Sequence, residues 1–263
     1  MKVRLPDKYY LAALVLLLAA SIFIALPLVI YVGDTTTAAC VIAGLVCVMT
    51  GSFVLIVSGG EPMDPRLVGM LPAQGSLTLC RISSDIGIYG KAHFLPQRFT
   101  GDTQVMQLNP VYDYDGSSIP AGNALLKTGP QGFVTRPSCD LLIRDLKERN
   151  ALVIPDQPGE LTVLLSETIE DILDFASRVS VGWNGSRVTI ILYNYLFIEG
   201  CQLIAQKAPQ CCSKYPCPVC SLCGVLIAGG LNEVVALDQC TCVAPSRDVT
   251  ITFLVKSWSD RNA

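Results

Sequence analysis

Tyr10 to Val32 reads YLAALVLLLAASIFIALPLVIYV, a run with no ionisable side chain other than its tyrosines. A helix crosses the hydrocarbon of a bilayer with about 20 apolar residues, and this run meets that length. Ala38 to Val57 (AACVIAGLVCVMTGSFVLIV) is a second uncharged run, separated from the first by Gly33, Asp34 and three threonines. The pair predicts a transmembrane helical hairpin over residues 1–58, with spans at about 10–32 and 38–57. A cleaved signal peptide is the competing reading, because Lys2, Arg4 and Lys8 resemble its basic leader. Against it, the first run exceeds the apolar stretch of about 7–15 residues in such peptides, and no small-x-small site precedes a polar start.

The rest of the sequence follows from this hairpin. The chain has 263 residues and is 51% hydrophobic, with mean hydropathy +0.47, values high for a soluble protein. Lys2, Arg4 and Lys8 precede the first span and Arg66 follows the second, while the connection carries only Asp34. Basic residues stay on the cytoplasmic side, so the sequence predicts a multi-pass protein of the cell membrane with both termini cytoplasmic. A cytosolic domain is kept reduced, which makes its cysteines thiols or metal ligands before they are disulfides. The net charge of -3 offers no basic footprint, so nucleic acid is not an expected partner.

Residues 59–66 contain SGGEPMDP in part, a Gly, Pro and acidic composition that reads as a linker. The expected architecture of 67–263 is a cytosolic α+β domain, a mixed and mainly antiparallel sheet with helices on one face. A short helix interrupted at Pro72 is expected over about 66–79, then short strands in IYGKAHFLP, QVMQLNP and GFVT. PSCDLLIRDLKERNAL predicts a helix ending near Leu152. Leu161, Leu164, Leu165, Ile169, Ile172, Phe175, Ala176 and Val179 recur at helical steps and predict one amphipathic helix. Asn184-Gly185 predicts a tight hairpin turn in which both residues take positive φ. A helix over Pro218–Leu231 and strands over Val234–Cys242 and Val249–Lys256 complete the order.

Three segments, LVGMLPAQGSLTLCRISSDIGIYGKAHFLPQ, GFVTRPSCDLLIRDLKERNAL and PVCSLCGVLIAGGL, carry a resemblance of the whole chain to a family of archaeal membrane proteins. That resemblance implies a two-helix N-terminal hairpin before a cytosolic α+β domain, and no assigned activity. From about Cys217 the chain is also similar to vinyl-reductase-type small-molecule-binding domains, through Gly224, Gly229, Gly230, Cys240 or Cys242, Asp248 and Phe253. The second cysteine of that pattern falls on Ile251 here.

Chemistry is concentrated in the Cys-rich region 211–242, which holds Cys211, Cys212, Cys217, Cys220, Cys223, Cys240 and Cys242. C-x2-C-x2-C spacing suits iron–sulfur ligation, and paired cysteines suit tetrahedral zinc. Strand alternation puts Cys240 and Cys242 on one face, and the connector's Cys211, Cys212 and Cys217 can fold over the start of the helix near Pro218, where the amide dipoles favour thiolate. The expected site joins Cys217, Cys220 and Cys223 to Cys240 or Cys242, with Cys211 or Cys212 as a further ligand. Plain apolar packing of buried thiols competes with that site, as do disulfides. The x3-C-P continuation of ferredoxins is absent.

Other motifs read as structural. Asp113 and Asp115 lack the later Glu of a calcium loop. Glu167, Glu170, Asp171 and Asp174 suit a solvated helix face, and His93, the sole histidine, suits a partly buried strand. Without a G-x-S-x-G elbow, a Walker loop or a G-x-G-x-x-G after a strand, catalysis has no nominated residues. Gly44 and Gly51, seven apart, predict close helix approach, which also suits a homo-oligomer or a protein partner docked on the hairpin. The expected function is a membrane-anchored, non-catalytic interaction or sensing module with a thiolate metal site. An iron–sulfur redox protein, or an accessory subunit of a membrane redox complex, is the alternative.

Overall fold

The computed structural model describes residues 8–29, 34–58, 64–114, 125–126, 132–243 and 246–256. It divides into two units, Met1–Met63 and Asp64–Ala263. Of the linker expected over 59–66, residues 59–63 lie outside the described residues, as does Asp115.

The first unit is two helices, α1 (Lys8–Val29) and α2 (Asp34–Ser58). The second begins earlier than expected, because Asp34 and the three threonines join it. Small residues set the packing. Ala13 and Ala20 are fully buried, and a Cβ at Gly44 would meet Ile24 Cγ1 at 2.7 Å and the Ala20 carbonyl at 3.3 Å. At Gly51 the nearest atoms belong to Leu17 and Ala13, so the helices run antiparallel along a seam repeated every seven residues. Larger side chains face outward, among them Leu14, Ile22, Ile42, Met49, Phe53 and Ile56. The outer face of this hairpin is apolar.

The second unit is α+β. It opens on α3 (Pro65–Asp85), followed by β1 (His93–Leu95), α4 (Gln97–Thr100), β2 (Met106–Pro110), β3 (Leu125–Leu126) and β4 (Gly132–Thr135). Next come α5 (Asp140–Asn150), α6 (Pro158–Ser166) with a π-helical extension Glu167–Ile172, and the hairpin of β5 (Arg178–Asn184) and β6 (Arg187–Tyr193). The chain ends with α7 (Ile198–Lys207), α8 (Cys211–Lys214), α9 (Pro218–Leu231), β7 (Val234–Val243) and β8 (Asp248–Lys256). The strands form one sheet in the order β3-β4-β2-β1-β7-β8-β6-β5. Its pairings are antiparallel.

One face of the sheet carries the main core. Val188, Ile190, Leu192, Val249, Ile251 and Phe253 alternate along β6 and β8 and are buried with residues of α5, α6, α7 and α9. The most apolar helix of this unit, α9, is buried on nearly every side, which suits its place between sheet and outer helices. On the opposite face, Leu95, Phe99, Leu108, Tyr114, Val134 and Val234 form a smaller cluster. Phe99 belongs to α4, so the expectation of helices on one face misses this short helix.

Three local expectations need correction. The amphipathic helix from Leu161 does not reach Val179: it passes into the π turn, where the Leu173 amide donates to the Thr168 carbonyl, and it ends before Asp174, whose φ is +50°. Val179 instead lies on β5, because Val179, Val181 and Trp183 also satisfy the two-residue strand period. In the β5–β6 turn only Gly185 has positive φ (+56°), and Asn184 pairs with Arg187. The central pair is therefore Gly185-Ser186, one residue later than expected, and glycine first in the pair is the type II′ pattern. Finally, α3 is continuous through Pro72. The Asp64 carboxylate accepts from the Arg66 amide at 3.0 Å and caps it, and Pro65 opens the first turn.

Candidate metal centre

Three elements converge on one point beneath α9. Cys220 Sγ on α9 lies 3.8 Å from Cys240 Sγ on β7, and both lie within 4.8 Å of Cys212 Sγ on α8. Cys220 and Cys212 are buried, and Cys240 is partly buried. Thiol contacts continue from this triad: Cys217 meets Cys220 and Cys201, and Cys201 meets Cys242. The result is a chain of six neighbouring thiols inside one core.

Cys240 and Cys242 face this core because of a one-residue irregularity in β7. Leu237 pairs with Phe253 and Gln239 with Thr252, which leaves Asp238 unpaired as a bulge. Before the bulge, Val235 and Leu237 point to the helix-covered face; after it, Cys240 and Cys242 do, opposite Ile251 and Val249. An unbroken alternation would have sent both thiols to the other face. Asp238 is met by Lys91 Nζ at 2.6 Å and by Arg187 at 4.0 Å. Ile251, the position of the second cysteine in the vinyl-reductase-type pattern, thus contributes a buried methyl group opposite Cys240.

The sequence-nominated cysteines separate into groups. Cys212, Cys220 and Cys240 come together, and Cys217 and Cys242 are their neighbours through thiol contacts. Cys223 is not among the converging sulfurs. It shares a face with Cys220, but three residues of α-helix place it about 4.5 Å further along the axis. Burial pushes its thiol upward first, with the neighbouring Cys217 and Cys139 adding to it. Cys211 points away from Cys212, as neighbours on a helix do, and donates to the Ser76 carbonyl of α3 at 3.3 Å. The missed member is Cys201. Its signal was present in Ile198, Cys201 and Ile204, which recur at three-residue steps and are all buried.

Electrostatics within the chain of thiols alternate. The neighbouring Cys220 and Cys240 thiols lower Cys212 to about 5. Cys201 and Cys220 likewise lower Cys217, and Cys201 lowers Cys242. Cys201, Cys220 and Cys240 are pushed up in return. The largest influences on these groups are other thiols, burial and backbone amides, with no lysine or arginine among them. Buried anionic sulfur without a basic side chain is the setting in which a cation is most strongly favoured.

His93 plays no part in this group. It lies on β1 with Tyr114 edge-on at 5.5 Å, and its Nδ1 is 2.8 Å from the Lys91 carbonyl. Burial lowers it to about 4, so it is neutral at cellular pH. Glu170 accepts a hydrogen bond from the Val179 amide and serves to tie the end of the π turn to β5.

Fold and site together define an antiparallel α+β domain with a buried cysteine cluster, preceded by an apolar helical hairpin. Comparison with protein-family models, with curated proteins and with solved structures returns no match.

Proposed function

We propose that the chain is a membrane-anchored, non-catalytic interaction or sensing module that holds one metal ion through Cys212, Cys220 and Cys240, with Cys217 as a fourth thiolate. The observation that carries this reading is the convergence of three sulfurs, two buried and one partly buried, from α8, α9 and β7 within 4.8 Å. Zinc–thiolate bonds of about 2.3 Å in a tetrahedron place ligand sulfurs about 3.8 Å apart. Cys220 and Cys240 already stand at 3.8 Å. A [4Fe–4S] cluster holds each cysteine on a different iron and a [2Fe–2S] cluster holds two on each, so both spread some of their ligands further, and three sulfurs within 4.8 Å favour a single ion over the redox alternative. Protein purified without oxygen should be colourless with about one zinc per chain. Broad absorbance at about 400 nm that bleaches with dithionite would instead establish the redox reading.

Support for membrane anchoring comes from the outward apolar side chains of α1 and α2, which water would not tolerate as a continuous surface. The flanking basic residues give the orientation, with both termini cytoplasmic. A membrane-impermeant thiol reagent applied to intact cells should leave the cysteines of 211–242 unlabelled, and should label them only after lysis under denaturing conditions. A glycan on Asn184 would reverse the topology, since that sequon is modified only outside the cytosol.

A further inference from the structure

The cysteine chain borders a pocket of about 390 Å³, within the range of about 300–1,000 Å³ typical of small-molecule sites. Its walls come from α3, α5, α7 and the start of α9, and they are almost wholly carbon. Leu71, Leu142, Phe175 and Phe197 line it, and Cys201 and Cys217 supply its sulfur atoms. The Phe175 and Phe197 rings pack edge to face at 4.9 Å, which fixes the wall they share.

We propose that this pocket takes a single hydrocarbon chain of a membrane lipid. The walls offer few polar atoms, the Tyr195 side chain and the two thiols among them, so a hydrocarbon chain suits the space better than a ligand rich in polar groups. Leu67 and Leu71 stand on α3 at 60% and 70% exposure, and Leu71 lines the pocket itself. An apolar path thus leads from the surface of α3 inward. The source follows from the chain: α3 begins at Pro65, only six residues after the apolar α2 ends at Ser58. The inference rests on membrane anchoring and gives the sensing module its ligand class. Because Cys201 and Cys217 belong both to the pocket and to the thiol chain, an occupant covers the proposed fourth ligand, Cys217, and its neighbour Cys201.

The test uses the full chain in phosphatidylcholine nanodiscs doped with a phospholipid that carries a diazirine at the end of one acyl chain. After photolysis, label is expected on residues 198–207 or 217–219 as well as on the hairpin. Leu142→Trp and Leu71→Trp should each reduce the pocket label about fivefold or more by filling the space, with hairpin label and metal content unchanged. Leu71 is an exposed position, so that variant tests the idea without a folding cost. A labelled hairpin with an unlabelled pocket overturns the proposal. Undiminished label in both variants also overturns it. An unlabelled hairpin sinks membrane anchoring itself, and the zinc content reads the metal centre independently of either.

Discussion

Cys220→Ser should abolish zinc binding, from about one ion per chain to less than about 0.1, while Cys223→Ala should leave it near one. The two residues are one helical turn apart and look equivalent in the C-x2-C-x2-C run. They differ in what surrounds them. Cys220 touches Cys212, Cys217 and Cys240, whereas the principal influence on Cys223 is desolvation. The Cys223 change removes one buried sulfur, and a shortfall of about 1 kcal/mol in stability is the expected cost. Equal zinc loss in both variants would place the ion deeper along α9 than the convergence of sulfurs indicates.

Proton release is a second readout of the same centre. A thiol must lose its proton to bind the ion, so affinity rises with pH by one power of ten per pH unit for each proton displaced. Cys212, lowered to about 5, is already a thiolate at neutral pH, and Cys217 is lowered as well. Cys220 and Cys240 are raised and hold their protons. Between pH 6 and 8 about two protons should therefore leave per zinc bound, and zinc affinity should grow about a hundredfold per pH unit. As pH falls through about 5, Cys212 begins to take up its own proton, and the slope should steepen toward three.

Gly224→Val should be the most damaging single change in α9 outside the cysteines. A Cβ at Gly224 would fall within the Phe94 ring, which is fully buried and packs edge-on against Phe253. Removing a glycine from a helix interior gains up to about 1 kcal/mol of propensity. Overpacking a rigid aromatic costs roughly 1–3 kcal/mol, occasionally more, so the steric term wins, and valine adds two methyl groups beyond that Cβ. Thermal unfolding of the full chain should shift down by about 4–10 °C. At Gly229 the nearest atom to a Cβ is Ile154 Cδ1 at 3.4 Å, an ordinary contact. Gly229→Ala should be neutral or slightly stabilising, and equal losses at both sites would mean that α9 is not seated on β1 through Gly224.

Much of the architecture was legible because the periodicities are strong. The seven-residue spacing of Gly44 and Gly51 identified the seam on which α1 and α2 pack. The apolar run from Pro218 to Leu231, bounded by a proline and by Asn232 in the left-handed conformation, defined α9 to the residue. Where two periods overlapped, the sequence misled. Val179 satisfies both a helical and a strand pattern, and its partners Leu192 and, through β6, Val249 decided between them. The helix α7 went unread because its ILYNYLFIEG approach carries no sharp start signal, and Cys201 went with it.

By itself, then, the sequence determined the apolar hairpin, the α+β order and the concentration of thiols near α9, since length, period and composition are local properties that the chain carries without a partner. Which cysteines share a site was decided only by tertiary structure. The bulge at Asp238 reverses the facing of Cys240 and Cys242. The short turn into α8 aims Cys212 at Cys220 and leaves Cys211 against α3. The rise of the helix carries Cys223 out of reach. Each outcome depends on a displacement of a few ångströms between segments distant in the chain, and ligand bonds of about 2.3 Å tolerate no such displacement.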